Sequence, residues 1–323
     1  MVLALLFAVC ASYHAQADEY FDLAQRFFKP LPISMPGAEK DSAEQIALGR
    51  ALYFETGLSA KNNQSCNSCH NLGDGGNGVD HLKTSVGSLG KSGLRNSPTT
   101  WNAGLQFAQF WDGRAQTLEE QARSPLLNPD EMGLSGEVDA MQRLEALEYR
   151  DRFASAFPNQ TKPFIFDNVL KALAAFQRTL ITKDRLDVYL RGDESALDDA
   201  EKRGLKRFIF IGCNACHSGA LLGGDSFMKL GTVNAYPNKE DTGRHQVTAK
   251  TGDRFFFKVP PLRNVGQTAP YFHDGAGKNL EETVAGTAWH QLGVRLSKED
   301  VDDISAFLRT MDNLSPGLSP GSE

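Results

Sequence analysis

Two things are missing from this sequence at once: a run of basic residues, and any apolar stretch beyond the first 17 residues that could cross a bilayer, which takes about 20 residues. Thirty-four Lys+Arg stand against 40 Asp+Glu, a net charge of −6, so nothing gathers enough positive charge to neutralise a phosphate backbone. Nucleic acid is therefore not an expected partner, and no membrane span is expected. Strand-forming runs are also sparse. The best is Phe255-Phe256-Phe257-Lys258-Val259, closed by Pro260-Pro261. What is present is an ordinary globular composition, 41% hydrophobic and 23% charged, with 30 Gly and 14 Pro, which excludes disordered, collagenous and coiled-coil classes. The length predicts two domains of modest helices joined by long loops.

The one long apolar run opens the chain, Val2-Leu3-Ala4-Leu5-Leu6-Phe7-Ala8-Val9, and Ala15-Gln16-Ala17 follows it with the small residues of a leader cleavage site. Residues 1–17 are read as a signal peptide and the mature chain as starting near Asp18, which implies export to the periplasm. Cys10 raises a lipoprotein alternative, but Val9 before it is bulkier than a lipidation site tolerates.

Only five cysteines occur, and four remain once the leader is set aside, in the strings Cys66-Asn67-Ser68-Cys69-His70 and Cys213-Asn214-Ala215-Cys216-His217. C-x-x-C-H is the attachment motif of a c-type haem: two thiols three positions apart add to the vinyl groups of one porphyrin, and the next residue offers an imidazole to the iron. A single zinc held by both pairs would be saturated by four thiolates and leave both histidines without a role. A thioredoxin-like pair would need a surrounding βαβ pattern, which is absent. Two covalent haems c are expected.

Cys213 lies 147 residues beyond Cys66, so each motif can anchor its own domain. Before the first, Ser42 to Phe54 carries apolar residues at helical spacing. Before the second, Leu197 to Phe210 does so, with Leu205, Phe208 and Ile209 on one face and Gly212 ending the helix. Asn168 to Leu190 reads as one amphipathic helix broken at Arg191-Gly192-Asp193. The expected fold is mainly α: two cytochrome c-like domains, 18–190 and 191–323, with much irregular loop structure and a last segment that could pack back on the first domain.

Ordered blocks along the mature chain resemble the bacterial di-haem cytochrome c peroxidases and their MauG-like relatives. They are Gly93-Leu94-Arg95-Asn96-Ser97-Pro98-Thr99, Phe110-Trp111-Asp112-Gly113-Arg114, Leu118-Glu119-Glu120-Gln121, Asn128-Pro129-Asp130-Glu131-Met132-Gly133, Phe257 to Val265, and Pro270-Tyr271-Phe272-His273-Asp274-Gly275. The resemblance implies hydrogen peroxide as oxidant at the His70 haem. Glu131 would be the acid that moves its proton, Gln121 a polar neighbour, and Pro125 a residue that crowds the pocket. It implies that Trp111 lies between the haems and relays electrons, while Trp101 and Trp289 are read as core residues. It also implies that Asn96, Thr268 and Pro270 hold a calcium ion through an amide oxygen and backbone carbonyls.

Two departures from the family pattern carry mechanistic information. Many of the peroxidases have a His after the Thr-Ser-Val-Gly string, closing the peroxide haem until the other haem is reduced; here Thr84-Ser85-Val86-Gly87 is followed by Ser88. His81 lies nearby at another spacing and is read as solvent-facing. The first haem should then be five-coordinate or water-bound and need no reductive activation. At the second haem, the usual Met ligand falls on Thr287, and the Tyr of MauG-like proteins is absent too. His290, three residues on, is the favoured sixth ligand, with His273, Met228 and Met311 as other candidates. An imidazole there would lower the haem's potential relative to a thioether. That favours a MauG-like enzyme oxidising Trp-type residues of a secreted partner protein. The alternatives are a peroxidase taking electrons from a small electron-transfer protein, and a di-haem carrier without catalysis.

Overall fold

A computed structural model describes residues 20–73 and 77–318. The leader expected at 1–17, its cleavage near Asp18 and Cys10 lie outside the described residues. Among the described residues no helix is long and apolar enough to cross a membrane. In chain order the helices are α1 (20–27), α2 (Ala43–Phe54), α3 (Cys66–Cys69), α4 (Leu118–Leu127), α5 (Glu137–Ala146), α6 (Arg150–Ala156), α7 (Phe166–Gln177), α8 (Arg185–Leu190), α9 (Asp199–Ile211), α10 (His245–Thr248), α11 (Leu280–Thr287) and α12 (Lys298–Arg309). The described strands are β1 (Phe227–Lys229) and β2 (Phe256–Lys258), an antiparallel pair that places the predicted strand where expected.

Two large hydrophobic cores divide the described residues. The first gathers Leu48, Leu52 and Tyr53 of α2, Leu126 of α4, Leu144 of α5, Phe153 of α6, and Val169, Leu173 and Phe176 of α7. The second gathers Leu205, Phe208 and Ile209 of α9 with Ile304, Phe307 and Leu308 of α12. Each core is built on one crossing of helices without room for a side chain at the crossing point. A Cβ on Gly49 of α2 would sit 1.8 Å from the Ala172 carbonyl oxygen of α7, and one on Gly204 of α9 would sit 1.9 Å from that of Asp303 on α12. Backbone cannot yield as a flexible side chain can. Gly204→Ala should therefore cost about 1–3 kcal/mol of stability, measurable as a lowered urea midpoint of the haem-loaded protein; an unchanged midpoint would contradict the crossing.

The caps follow the sequence. Ser42 accepts from the Gln45 backbone while the Gln45 side chain accepts from Ser42 N, fixing the start of α2. Asp198 and Glu201 do the same for α9, and Gly212 ends it at φ +103°.

Two expectations are corrected. The predicted helix from Asn168 to Leu190 is two helices, because α7 stops at Gln177 and the chain crosses between cores. Thr182 N donates to Asn102 Oδ1 (3.0 Å), Asn102 Nδ2 donates to Thr182 Oγ1 (2.8 Å), and Asp184 caps α8 by accepting from Asp187 N (2.9 Å). The boundary at 190 also moves. Ala24 and Phe28 at the start of the described chain, and Leu186, Tyr189 and Leu190 of α8, are buried in the second core, since their apolar faces meet α9 and α12 rather than α2 and α7. Leu318 N donates to Leu72 O (2.7 Å), and its side chain lies against the first core.

Candidate functional site: two haem clefts sharing one wall

Each C-x-x-C-H string forms a tight turn on its own cleft. Ser65 caps α3 so that Cys66 and Cys69 fall on one helical turn, and the second string turns directly out of Gly212. Counted together with the open solvent at their mouths, the clefts span about 2090 Å3 and 1770 Å3 of space not taken by protein atoms. His70 Nδ1 lies 2.8 Å from Pro98 O, and His217 Nδ1 lies 2.8 Å from Leu222 O. A carbonyl only accepts, so in both rings Nδ1 carries the proton and Nε2 presents a bare lone pair, the tautomer an iron ligand needs. Burial pushes both imidazoles below their usual pKa, which keeps them neutral.

Burial also pushes the thiols up, Cys66 to about 12 and Cys69 and Cys213 to about 11. No cluster of three or more His, Cys, Asp or Glu that could hold a metal ion occurs among the described residues. Two thiols, a free imidazole nitrogen and an adjoining largely apolar cleft, repeated once, fit a covalent haem in each domain.

The first cleft is lined by Gln121 and Pro125 of α4, by Glu131 and by Trp111. Pro125 sits inside the helix, and its carbonyl accepts from Met132 N (3.0 Å), which folds the Asn128–Met132 turn back over α4. Burial raises the pKa of Glu131, opposed by the hydrogen bond from Asn128 Nδ2 to Oε1 (2.7 Å) and by the charge of Arg114. Among its described lining residues His70 is the one histidine. Ser88 is buried and is not among the lining residues of this cleft: its hydroxyl bonds Asn63 Oδ1 (2.7 Å) and its N–H donates to Glu131 O (2.7 Å). His81 is exposed, with Nδ1 on Ala269 O (2.9 Å) and Nε2 on the Asn77 amide (2.8 Å), so both its nitrogens are engaged.

The second cleft is lined by His217, Thr287, Met228 and His273. His290 is not among its lining residues, and the expectation that it ligates the second haem is not carried forward. The i to i+3 argument assumed a continuous α-helix, whereas residues Ala288–Leu292 wind as a wider π-turn. His290 is carried outward, Nδ1 on Asn234 O (2.9 Å), its ring packed edge-on to Tyr236. Met311 is fully buried in the second core and does not line the cleft.

Trp111 lines both clefts, its Nε1 donating to Asn96 O (2.9 Å). Asn96, Thr268 and Pro270 all line the second cleft. Sequence reasoning missed the brace beside Trp111. Arg95 bonds Asp241 through Nε (2.6 Å) and Nη2 (2.9 Å), and Asp112 through Nη1 (2.6 Å), joining the two halves of the chain. Tyr53 was missed as well; its hydroxyl donates to His70 O (2.7 Å) and it lines the first cleft.

Two cytochrome c-like units, each with a C-x-x-C-H turn on its own cleft, one cleft bearing a carboxylate and both sharing a tryptophan wall, define a di-haem c-type oxidoreductase. The family model for di-haem cytochrome c peroxidase matches residues 43–195. The chain is 43% identical over 310 residues to cytochrome c551 peroxidase of Pseudomonas aeruginosa, covering 94% of this chain and 89% of that one. It is 35% identical over 318 residues to the methylamine utilization protein MauG of Methylorubrum extorquens, covering 94% and 88%. A solved structure of a MauG-like protein associated with microbial copper homeostasis superposes with TM-score 0.78 at 29% identity, over 89% of this chain and 95% of that one. The chain belongs to the di-haem cytochrome c peroxidase family, and is a peroxide-dependent di-haem oxidoreductase carrying two haems c.

Proposed function

We propose that this protein is a peroxidase that reduces hydrogen peroxide to water at the His70 haem, H2O2 + 2 e− + 2 H+ → 2 H2O, with electrons from a small donor cytochrome entering through the His217 haem. The bound haems supply the iron that takes up peroxide and the electrons that break its O–O bond. The protein's part is proton handling. Glu131 would take a proton from one peroxide oxygen and return it to the other, which would leave as water. Gln121 orients the peroxide by hydrogen bonding, and Pro125 limits the room for water. Trp111 supplies an oxidisable ring in the wall between the clefts.

The observation that carries this reading is a first cleft with Glu131 on its lining and no described histidine beside His70, since Ser88 is tied to Asn63. Met228 on the lining of the second cleft supports a thioether at the sixth position there, hence a potential high enough to accept electrons from a donor. Identity to a cytochrome c551 peroxidase points the same way. The second reading, peroxide-driven oxidation of Trp-type residues on a secreted partner, is favoured by Thr287 where a Met would stand and by the likeness to a MauG-like protein. Calcium at Asn96, Thr268 and Pro270, and export to the periplasm, belong to the same proposal.

The as-isolated ferric enzyme, mixed with peroxide and a reduced small c-type cytochrome, should turn over at once, and pre-reduction should leave the initial rate within about twofold. An EPR spectrum should contain one high-spin haem. A lag abolished by pre-reduction, or two low-spin haems, would overturn the open first cleft. Failure to oxidise any donor cytochrome would overturn the peroxidase reading in favour of the second.

A further inference from the structure

The two clefts share a wall that includes Gln106, Phe110, Trp111 and Lys258. Among the described residues that line both, Lys258 is the one with a charge. It sits on β2, whose predecessor Phe257 stacks on His273 and whose backbone N–H donates to Trp111 O (2.7 Å). Its side chain is 7% exposed. The ammonium donates to Gln106 Oε1 and to Ala108 O (2.8 Å), two neutral acceptors, and it makes no ion pair with any described carboxylate. The third N–H has no partner among the described residues.

A buried ammonium without an anion is costly. Burial pulls its pKa down to about 7, against the upward pull of Asp112, the charged group that acts on it. That carboxylate is already held by Arg95 (2.6 Å) and Arg114 (3.1 Å). The protein therefore supplies no anion to hold this amine protonated where it faces both clefts. The occupant of the clefts must supply it, and the anionic groups a c-type haem brings are its two propionate carboxylates.

We infer that Lys258 is a positioning residue that binds porphyrin propionate in the wall common to both haem sites, so that one ammonium biases the electron affinity of both haems. A cation close to the ring favours the ferrous state, and in a low-dielectric wall its effect extends to both neighbours. The inference stands whichever molecule receives the oxidising equivalents, and a protein that failed to oxidise donor cytochrome would leave it untouched.

The test is a potentiometric titration of both haems in the holoprotein, wild type against K258M and K258R, with haem content checked by pyridine haemochrome. K258M should shift the reduction equilibrium of each haem at least tenfold towards ferric, about 59 mV, and should shift the propionate bending bands in the resonance Raman spectrum. K258R keeps a cation and should stay within about threefold of wild type. Should K258M not take up haem, K258Q, which keeps length and polarity without charge, is read by the same criterion. Unchanged potentials in the uncharged variant, a shift at one haem only, or an equal fall in K258R would overturn the inference.

Discussion

Replacing Glu131 by glutamine should slow peroxide turnover by 10²–10⁴-fold, the range that a positioned proton-transfer group contributes. Glutamine keeps the shape, and its Oε1 can still accept from Asn128 Nδ2, so the Asn128–Met132 turn and its bond from Ser88 N to the carbonyl of residue 131 stay in place. What is lost is the basic carboxylate. The pH profile separates these effects. In the free enzyme the carboxyl must be ionised to accept a proton, so kcat/KM should rise with pH along an acidic limb. Because burial holds the Glu131 pKa above the usual glutamate range, the limb should lie higher than that of an exposed glutamate. E131Q should be slow and lack the limb, with both haems attached and the ferric EPR spectrum still containing its high-spin signal. A variant within about threefold of wild type would remove Glu131 from the reaction.

The residues that carry this chemistry differ in how far they could be read from sequence, and the difference follows contact range. The haem sites are local: Cys66, Cys69 and His70 act within one turn, as do Cys213, Cys216 and His217, and the Ser42 and Asp198 caps act over three residues. Such features are printed in consecutive letters. Arg95 and Asp241 are 146 residues apart, and Lys258 reaches Ala108 across 150, so no window of sequence displays either pair. Sequence spacing failed where it assumed uniform helix geometry. The π-turn at Ala288–Leu292 removed His290 from the cleft, and the crossing between cores split 168–190. Ala24 and Phe28 joined the second core for the same reason: an apolar face shows that a segment is buried and not against what.

The crossing between cores also holds the largest expected loss of stability. Arg263 is fully buried; its Nη1 reaches both oxygens of Asp184 (2.7 and 2.8 Å) and Asp187 (2.8 Å), while Nε donates to Ala220 O (2.8 Å) and Nη2 to Lys29 O (3.1 Å). One guanidinium thus joins the chain after α1, the cap of α8 and the loop beyond the second haem motif. Removing it strands a buried carboxylate, and R263A should cost about 3–5 kcal/mol at neutral pH, a large share of the roughly 5–15 kcal/mol that holds a domain together. The sign with pH follows from Asp184, whose pKa burial raises even with Arg263 present. A carboxyl whose folded pKa lies above its unfolded value destabilises the fold once pH exceeds the folded value, and this penalty disappears as pH falls below the unfolded one. Without the guanidinium that folded pKa should rise further. R263A should therefore be most destabilised at neutral and alkaline pH and recover part of the loss towards pH 4. R263A/D184N should regain more stability than two independent losses allow. Urea unfolding of the haem-loaded protein followed by circular dichroism measures all three. A loss under 1 kcal/mol, or a deficit that grows as pH falls, would mean that Asp184 is not the charge Arg263 neutralises.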